Sequence, residues 1–296
     1  MSDLIPCVDS SGRRLEVRRD DVLDQLMAAG DRRGALVVRR LPVGRGGILD
    51  PDGVDAVLLR CHLELQRLSE EMQQGRRVAD VLAPLLAAVR ATTGTPRPRV
   101  VDVGCGLGHV VRWLAWHRPL GPVELVGCDL DAALVTEATR LAALEDLDCT
   151  FLVADALALE ESADVVISTG FVHHLRGDAL PAFFSRQRGG AALAHWDIAT
   201  GPLTTLGARL FHRARMREPL ARHDGVVSAR RAYDDAALVG AVRVGAPGLV
   251  PLLVDPAPGR NPLTTVLRPV LGVQPALVEP FLDSAGPRLR PRVSRP

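Results

Sequence analysis

The period of the apolar positions changes near residue 99. From there on, short runs apolar almost throughout alternate with stretches of helical spacing. The runs are Val100–Val103, Val123–Cys128, Thr150–Ala154, Asp164–Ser168, Ala191–His195, Leu249–Val254 and Thr264–Leu267. Strands wetted on one face would alternate polar and apolar residues, so these read as strands covered on both faces. Val110–Trp116, Ala132–Leu144, Leu180–Gln187 and Asp234–Val242 have the spacing of the intervening helices. Strand and helix in alternation predict an α/β fold: a doubly wound, mostly parallel, seven-stranded Rossmann-like sheet.

The chain before this point is patterned differently. Asp21–Ala29 predicts a helix between two strand candidates, Arg14–Val17 and Ala35–Arg39. Asp50-Pro51 reads as an N-cap followed by proline at the first helical position, opening a helix through Val54, Val57, Leu58, Leu65 and Leu68. A second helix is expected over Arg77–Ala91. The organisation expected is a mainly helical cap at 1–76, a main domain at 77–283 with an insertion at 201–231, and a disordered Pro- and Arg-rich tail at 284–296.

Composition removes several chemistries. All 36 positively charged residues are arginine, which excludes Schiff-base lysines, pyridoxal-phosphate anchoring and the phosphate-gripping lysine of P-loop enzymes and kinases. Tyr233 and Asn261 are the single residues of their types, a bias expected of a GC-rich bacterial genome. Aromatics at 3% leave few surfaces on which bases could stack, and a net charge of +1 gives no pull toward polyanions; both argue against a nucleic-acid partner. The five cysteines show no CxxC spacing and are expected to be reduced. With no leader pattern and no run of about 18 apolar residues, the expectation is a cytoplasmic protein with no membrane partner.

The candidate chemistry sits at successive strand ends. Asp102-Val103-Gly104-Cys105-Gly106-Leu107-Gly108 joins the first strand of the sheet to a helix. Such a turn presents backbone N–H groups and the positive end of a helix dipole, and its glycines allow close approach of a ligand. Asp129 closes the next strand, 21 residues after Gly108, where a carboxylate can accept from both hydroxyls of a ribose. Asp155 closes the third. The dinucleotide fingerprint G-x-G-x-x-G is broken, because the loop reads G-x-G-x-G and places His109 where the third glycine belongs.

On these residues the sequence resembles the class I S-adenosylmethionine-dependent methyltransferases of small-molecule type, over Arg77 to Val270. The resemblance implies S-adenosyl-L-methionine as cofactor. It assigns Gly104, Cys105, Gly106, Leu107 and Gly108 to the methionine end, with Asp102 orienting the loop. Asp129 would bind ribose, Leu130 would lie beside adenine, and Asp155 with Ala156 would read the adenine edge. Ser168-Thr169-Gly170-Phe171-Val172-His173-His174-Leu175 resembles the family's segment after the fourth strand, putting Ser168, Thr169 and Gly170 beside the cofactor. The Asn/Asp-Pro-Pro-aromatic motif of methyltransferases acting on amino groups of bases and glutamine is missing, and no acidic pair follows the fourth strand to hold a metal.

A small-molecule methyl acceptor follows, with a hydroxyl slightly preferred. His173 and His174 are then the candidate bases, of which at most one faces the acceptor; the alternative is that both are structural. Asp131 is expected to cap a helix, Trp196 to be core, and Asp197 to be a capping or turn residue. Leu206–Arg231 is rich in arginine, as a solvated helix face or a surface for an acidic acceptor or RNA. By analogy with the family, this stretch and the N-terminal region would form a lid. The rival functions are an NAD(P)-dependent oxidoreductase and a non-catalytic S-adenosylmethionine-binding protein.

Overall fold

The structure, a computed structural model, describes residues 9, 13–160, 162–256, 266–286 and 289–293. Its elements in chain order are α1 (Arg19–Ala28), α2 (Arg32–Val38), α3 (Pro51–Glu71), α4 (Gln74–Thr93), β1 (Arg99–Val103), α5 (His109–His117), β2 (Glu124–Asp129), α6 (Ala132–Leu144), β3 (Thr150–Val153) and β4 (Val165–Thr169). They continue with α7 (Ala179–Arg186), β5 (Ala192–Ile198), α8 (Thr204–Arg215), α9 (Pro219–Arg231), α10 (Asp235–Gly245), β6 (Val250–Pro256), β7 (Leu267–Val273), α11 (Pro275–Ala285) and β8 (Leu289–Val293).

The sheet order is β3-β2-β1-β4-β5-β7-β6-β8. The first five strands are parallel, and β7, inserted between β5 and β6, is antiparallel to both. This is the doubly wound sheet the apolar runs predict. The chain winds outward from β1 to β3, then returns to β4 on the other side of β1. Ligands of open α/β sheets bind at that reversal, beyond the carboxyl ends of the strands.

Alternate residues of each strand feed two cores. Val100, Val165, Ile167, Ala192, Ala194 and Trp196 pack on the side of α4, α5, α6 and α11. Val101, Val103, Val166 and Leu193 pack on the side of α7 and α10. Caps set the helix starts: Asp50 accepts from Gly53 N–H ahead of Pro51, and Asp131 accepts from the N–H groups of Ala133 and Leu134.

Three expectations are corrected. Ala35–Arg39 is no strand. Asp31 caps α2 by accepting from Gly34 N–H, and that start carries the short Val37-Val38 pair into a helix. Arg14–Val17 forms no strand either: Arg14 and Arg18 are isolated bridge residues, Arg18 opposite Ile48. The tail expected to be disordered over 284–296 supplies β8, which pairs antiparallel with β6 as an eighth strand. An edge strand tolerates Pro291 and the arginines beside it, because one of its sides needs no ladder partner. Of the expected strand Thr264–Leu267, residues 264–265 lie outside the described residues, and β7 begins at Leu267.

The N-terminal helices do not stand apart from the insertion. Val22, Val38, Val54, Cys61 and Leu68 share one apolar cluster with Met216, Leu220 and Ala221. Glu64 of α3 accepts from the N–H groups of Arg217 and Glu218 at the start of α9, and His223 pairs with Asp31 at 2.8 Å. Arg215 pairs with Glu71, and Arg222 Nε donates to Met216 O, so both arginines serve within this body. Among the described residues, no helix is long and apolar enough to cross a membrane.

Candidate functional site

The turn from β1 into α5 is built on glycines that adopt left-handed backbone: Gly104, Gly106 and Gly108 have φ of 66°, 56° and 67°. Each also lies against a ring where a Cβ would not fit. At Gly104 the neighbour is Phe171 and at Gly108 it is Phe151; at Gly106 a Cβ would lie 2.7 Å from His62 Cδ2. Gly108 precedes α5 with no side-chain cap, leaving the first-turn N–H groups of the helix to other partners.

Two carboxylates meet this loop. Asp129 Oδ2 accepts from Gly106 N–H at 2.9 Å and its Oδ1 from Asp131 N–H at 3.0 Å. Each oxygen keeps a second lone pair, so the group has capacity for ligand hydroxyls. Asp102, buried at the end of β1, has an Oδ1 with no hydrogen-bond partner among the described residues. Burial, with the nearby Asp129 charge second, pushes its carboxyl up to about 8. Burial likewise raises the Cys105 thiol, which makes it a packing group rather than a nucleophile.

One strand further out, Ala154 N–H donates to Asp129 O at 3.0 Å, and Asp155 Oδ1 accepts from Leu157 N–H at 2.8 Å. Leu107 is buried against Leu58 and Leu134, Leu130 is half-buried, and Ala156 is buried. The structure therefore gathers the glycine loop, Asp102, Asp129 and Asp155 at one edge of the sheet.

The 168–170 segment divides. Ser168 Oγ is buried 2.8 Å from His195 Nδ1, and His195 Nε2 lies 2.7 Å from Gln187 Oε1. Gln187 Nε2 donates to Phe183 O, so His195 Nε2–H donates to Gln187 and Nδ1 accepts from Ser168. Burial pushes His195 down to about 3, which keeps it neutral. The Ser168 hydroxyl is thus engaged inside the sheet. Thr169 and Gly170 are half-buried at the strand tip, with Gly170 N–H donating to Trp196 O at 2.8 Å.

His173 and His174 follow on a 3-10 turn, Val172–His174. His173 is buried and paired with Asp197: its Nδ1 lies 2.8 Å from Asp197 Oδ1, and its backbone N–H donates to Oδ2 at 2.7 Å. Ile198 N–H also donates to Oδ1, at 2.6 Å. A carboxylate in that position fixes the Nδ1–H tautomer and leaves Nε2 as the ring nitrogen without a hydrogen-bond partner among the described residues. His174 is half-buried, its ring centroid 4.2 Å from that of His173. Asp197, expected as a capping or turn residue, is instead the partner of His173, while Trp196 is core as expected.

A second group was not singled out from the sequence. Along one face of α3, His62 lies against Gly106, Gln66 Oε1 accepts from Arg112 at 2.8 Å, and Glu70 lies 3.9 Å from His109 Nδ1. The four-residue spacing of these polar side chains along the helix was the available signal. Burial holds the His62 imidazole below the ordinary histidine range, opposed by the Asp129 charge. Among the described residues, no group of three or more His, Cys, Asp or Glu is placed to hold a metal ion.

Comparison with known proteins agrees with this geometry. Residues 100–189 match the methyltransferase domain family. No curated protein matches the chain. Among solved structures, human N-acetylserotonin methyltransferase with S-adenosylmethionine superposes with a TM-score of 0.52 at 14% identity, covering 87% of this chain and 66% of that one. Magnesium protoporphyrin IX methyltransferase from Synechocystis PCC 6803, with bound S-adenosylmethionine, gives 0.45 at 18% identity, covering 86% and 96%. A protein from echinomycin biosynthesis that converts a disulfide bond into a thioacetal group gives 0.42 at 26% identity, covering 62% and 78%. The first of these likenesses speaks for the fold, and the other two add no weight. Sheet order and glycine loop agree with the match of residues 100–189 to the methyltransferase domain family.

Proposed function

We propose that the chain transfers the methyl group of S-adenosylmethionine to a hydroxyl of a small molecule. The residues at the sheet edge fit the cofactor. The Oδ1 of Asp102, buried at the foot of the loop and without a hydrogen-bond partner among the described residues, suits the cationic methionine end. Gly104, Cys105, Gly106, Leu107 and Gly108 would hold that end, Asp129 the ribose, and Leu130, Asp155 and Ala156 the adenine, with Thr169 and Gly170 closing the other side. The bound cofactor supplies a methyl group already activated on a sulfonium, so the protein's work is alignment and exclusion of water.

The observation that carries the hydroxyl preference is the His173–Asp197 pair. A hydroxyl becomes a better nucleophile as it loses its proton, and a histidine whose Nδ1–H is held by a carboxylate presents Nε2 to take that proton. Asp197 would then stabilise the imidazolium. Phe171 ties this turn to the glycine loop by packing on Gly104, so base and loop are held to one another. The lid built from α1, α2, α3, α8 and α9 would cover the acceptor.

The test is a panel of phenols, alcohols, amines and thiols, with formation of S-adenosylhomocysteine as the readout. Turnover is expected with hydroxyl acceptors and to depend on their presence. Turnover confined to amines or thiols would overturn the oxygen preference. Binding of the cofactor with no turnover across the panel would favour a non-catalytic binding protein.

A further inference from the structure

We propose that His62, on α3 of the N-terminal lid, is a cofactor-positioning residue whose imidazole walls the cleft at Gly106 and stands against the methionine end of bound S-adenosylmethionine. The proposal rests on the reading that the glycine loop holds this cofactor.

The ring lies directly on the loop. A Cβ on Gly106 would come 2.7 Å from His62 Cδ2 and 3.3 Å from its Nε2, so this glycine leaves space that a side chain from another part of the fold takes up. The placement is fixed at both ends of the helix face. Leu58, one turn before His62, packs with Leu107 of the loop and Leu134 of α6. One turn after it, Gln66 accepts from Arg112, a buried arginine whose Nε also donates to Leu107 O at 3.2 Å and which pairs with Glu145. Arg112 thereby holds the lid helix, the loop and the end of α6 together through charge-assisted bonds.

The ring's chemistry suits a cation. Nδ1 lies 3.0 Å from Leu58 O and must donate to it, so in the neutral ring Nε2 is an acceptor. Burial favours that neutral form; Asp129 from β2 and Asp224 from α9 are the carboxylates that oppose it. S-adenosylmethionine carries one more positive charge, at sulfur, than the demethylated product. A neutral His62 accommodates that charge and a protonated one repels it.

Calorimetric titration of the full chain tests this, using S-adenosylmethionine and S-adenosylhomocysteine at pH 7.5. The proteins are the wild type, His62→Ala and His62→Gln, with ligand-free unfolding midpoints as the folding control. His62→Ala is expected to weaken S-adenosylmethionine binding about tenfold at pH 7.5, the worth of one hydrogen bond to a charged group. His62→Gln, which keeps an acceptor and cannot protonate, should stay within about threefold of wild type. In His62→Ala the loss should be larger for S-adenosylmethionine than for S-adenosylhomocysteine, and His62→Gln should restore the wild-type ratio. Unchanged or tighter S-adenosylmethionine binding by His62→Ala overturns the proposal, as does an equal loss for both ligands. A wild type that binds neither ligand overturns the cofactor reading, and the proposal with it.

Discussion

Replacing Asp129 with alanine is expected to weaken S-adenosylmethionine binding by about two to three orders of magnitude while the chain still folds. The carboxylate has two tasks. It accepts from the N–H groups of Gly106 and Asp131, which fixes the loop's shape, and it has lone pairs left for the two ribose hydroxyls. Losing two charge-assisted hydrogen bonds at about 1.5–3 kcal/mol each accounts for the lost affinity. Orphaning the Gly106 N–H adds a stability cost of roughly 1–3 kcal/mol, read in the unfolding midpoint. Asp129→Asn keeps one of the two loop acceptors, its amide oxygen, and sets its NH2 against the other backbone N–H. Its stability and its affinity should both lie between wild type and alanine. Calorimetric affinity within about threefold of wild type in Asp129→Ala would show that the ribose lies elsewhere.

His173→Gln is expected to lower kcat with a hydroxyl acceptor by about two to four orders of magnitude, the range of general base catalysis, with the cofactor Kd within about twofold of wild type. Asp197→Asn should reproduce much of the loss. Its amide can present an N–H where Nδ1–H must donate, which turns the imidazole to the other tautomer and takes the acceptor away from Nε2. Single-turnover rates with saturating cofactor separate the chemical step from binding. A fall in kcat of less than about threefold in His173→Gln would make the pair structural and remove the ground for the hydroxyl preference.

Both predictions concern residues whose legibility in the sequence differs. The glycine loop, Asp129 and Asp155 could be read because each lies at the end of an apolar run, and a parallel sheet delivers consecutive strand ends to one edge. Asp50 and Asp131 could be read because capping is local, needing only the residues that follow. The partnership of His173 with Asp197 could not. It exists because β4 and β5 are parallel neighbours with Thr169 opposite Trp196, a register that no local pattern encodes. The same register commits Ser168 to His195.

The N-terminal errors have a similar origin. Val37-Val38 favours a strand by residue type, yet the Asp31 cap and packing of Val38 in the lid cluster decide for helix. The arginine-rich insertion, for which a solvated helix face is one of the readings, holds two helices, with Gly207 and Gly225 inside them. β8 was obscured by Pro291 and the arginines on either side of it, residues that signal disorder in isolation and suit a protected edge once β6 offers a ladder. The face of α3 that meets the loop was visible as a spacing, but its target belongs to tertiary structure.

A crystal structure of the chain with S-adenosylhomocysteine bound puts the central claim to its most direct test. The adenosine should cross the tips of β1, β2 and β3, with both ribose hydroxyls within hydrogen-bond reach of Asp129, the adenine edge beside Asp155, and the sulfur over Gly104–Gly108. Ligand density away from that loop, or a ribose that makes no contact with Asp129, would contradict it.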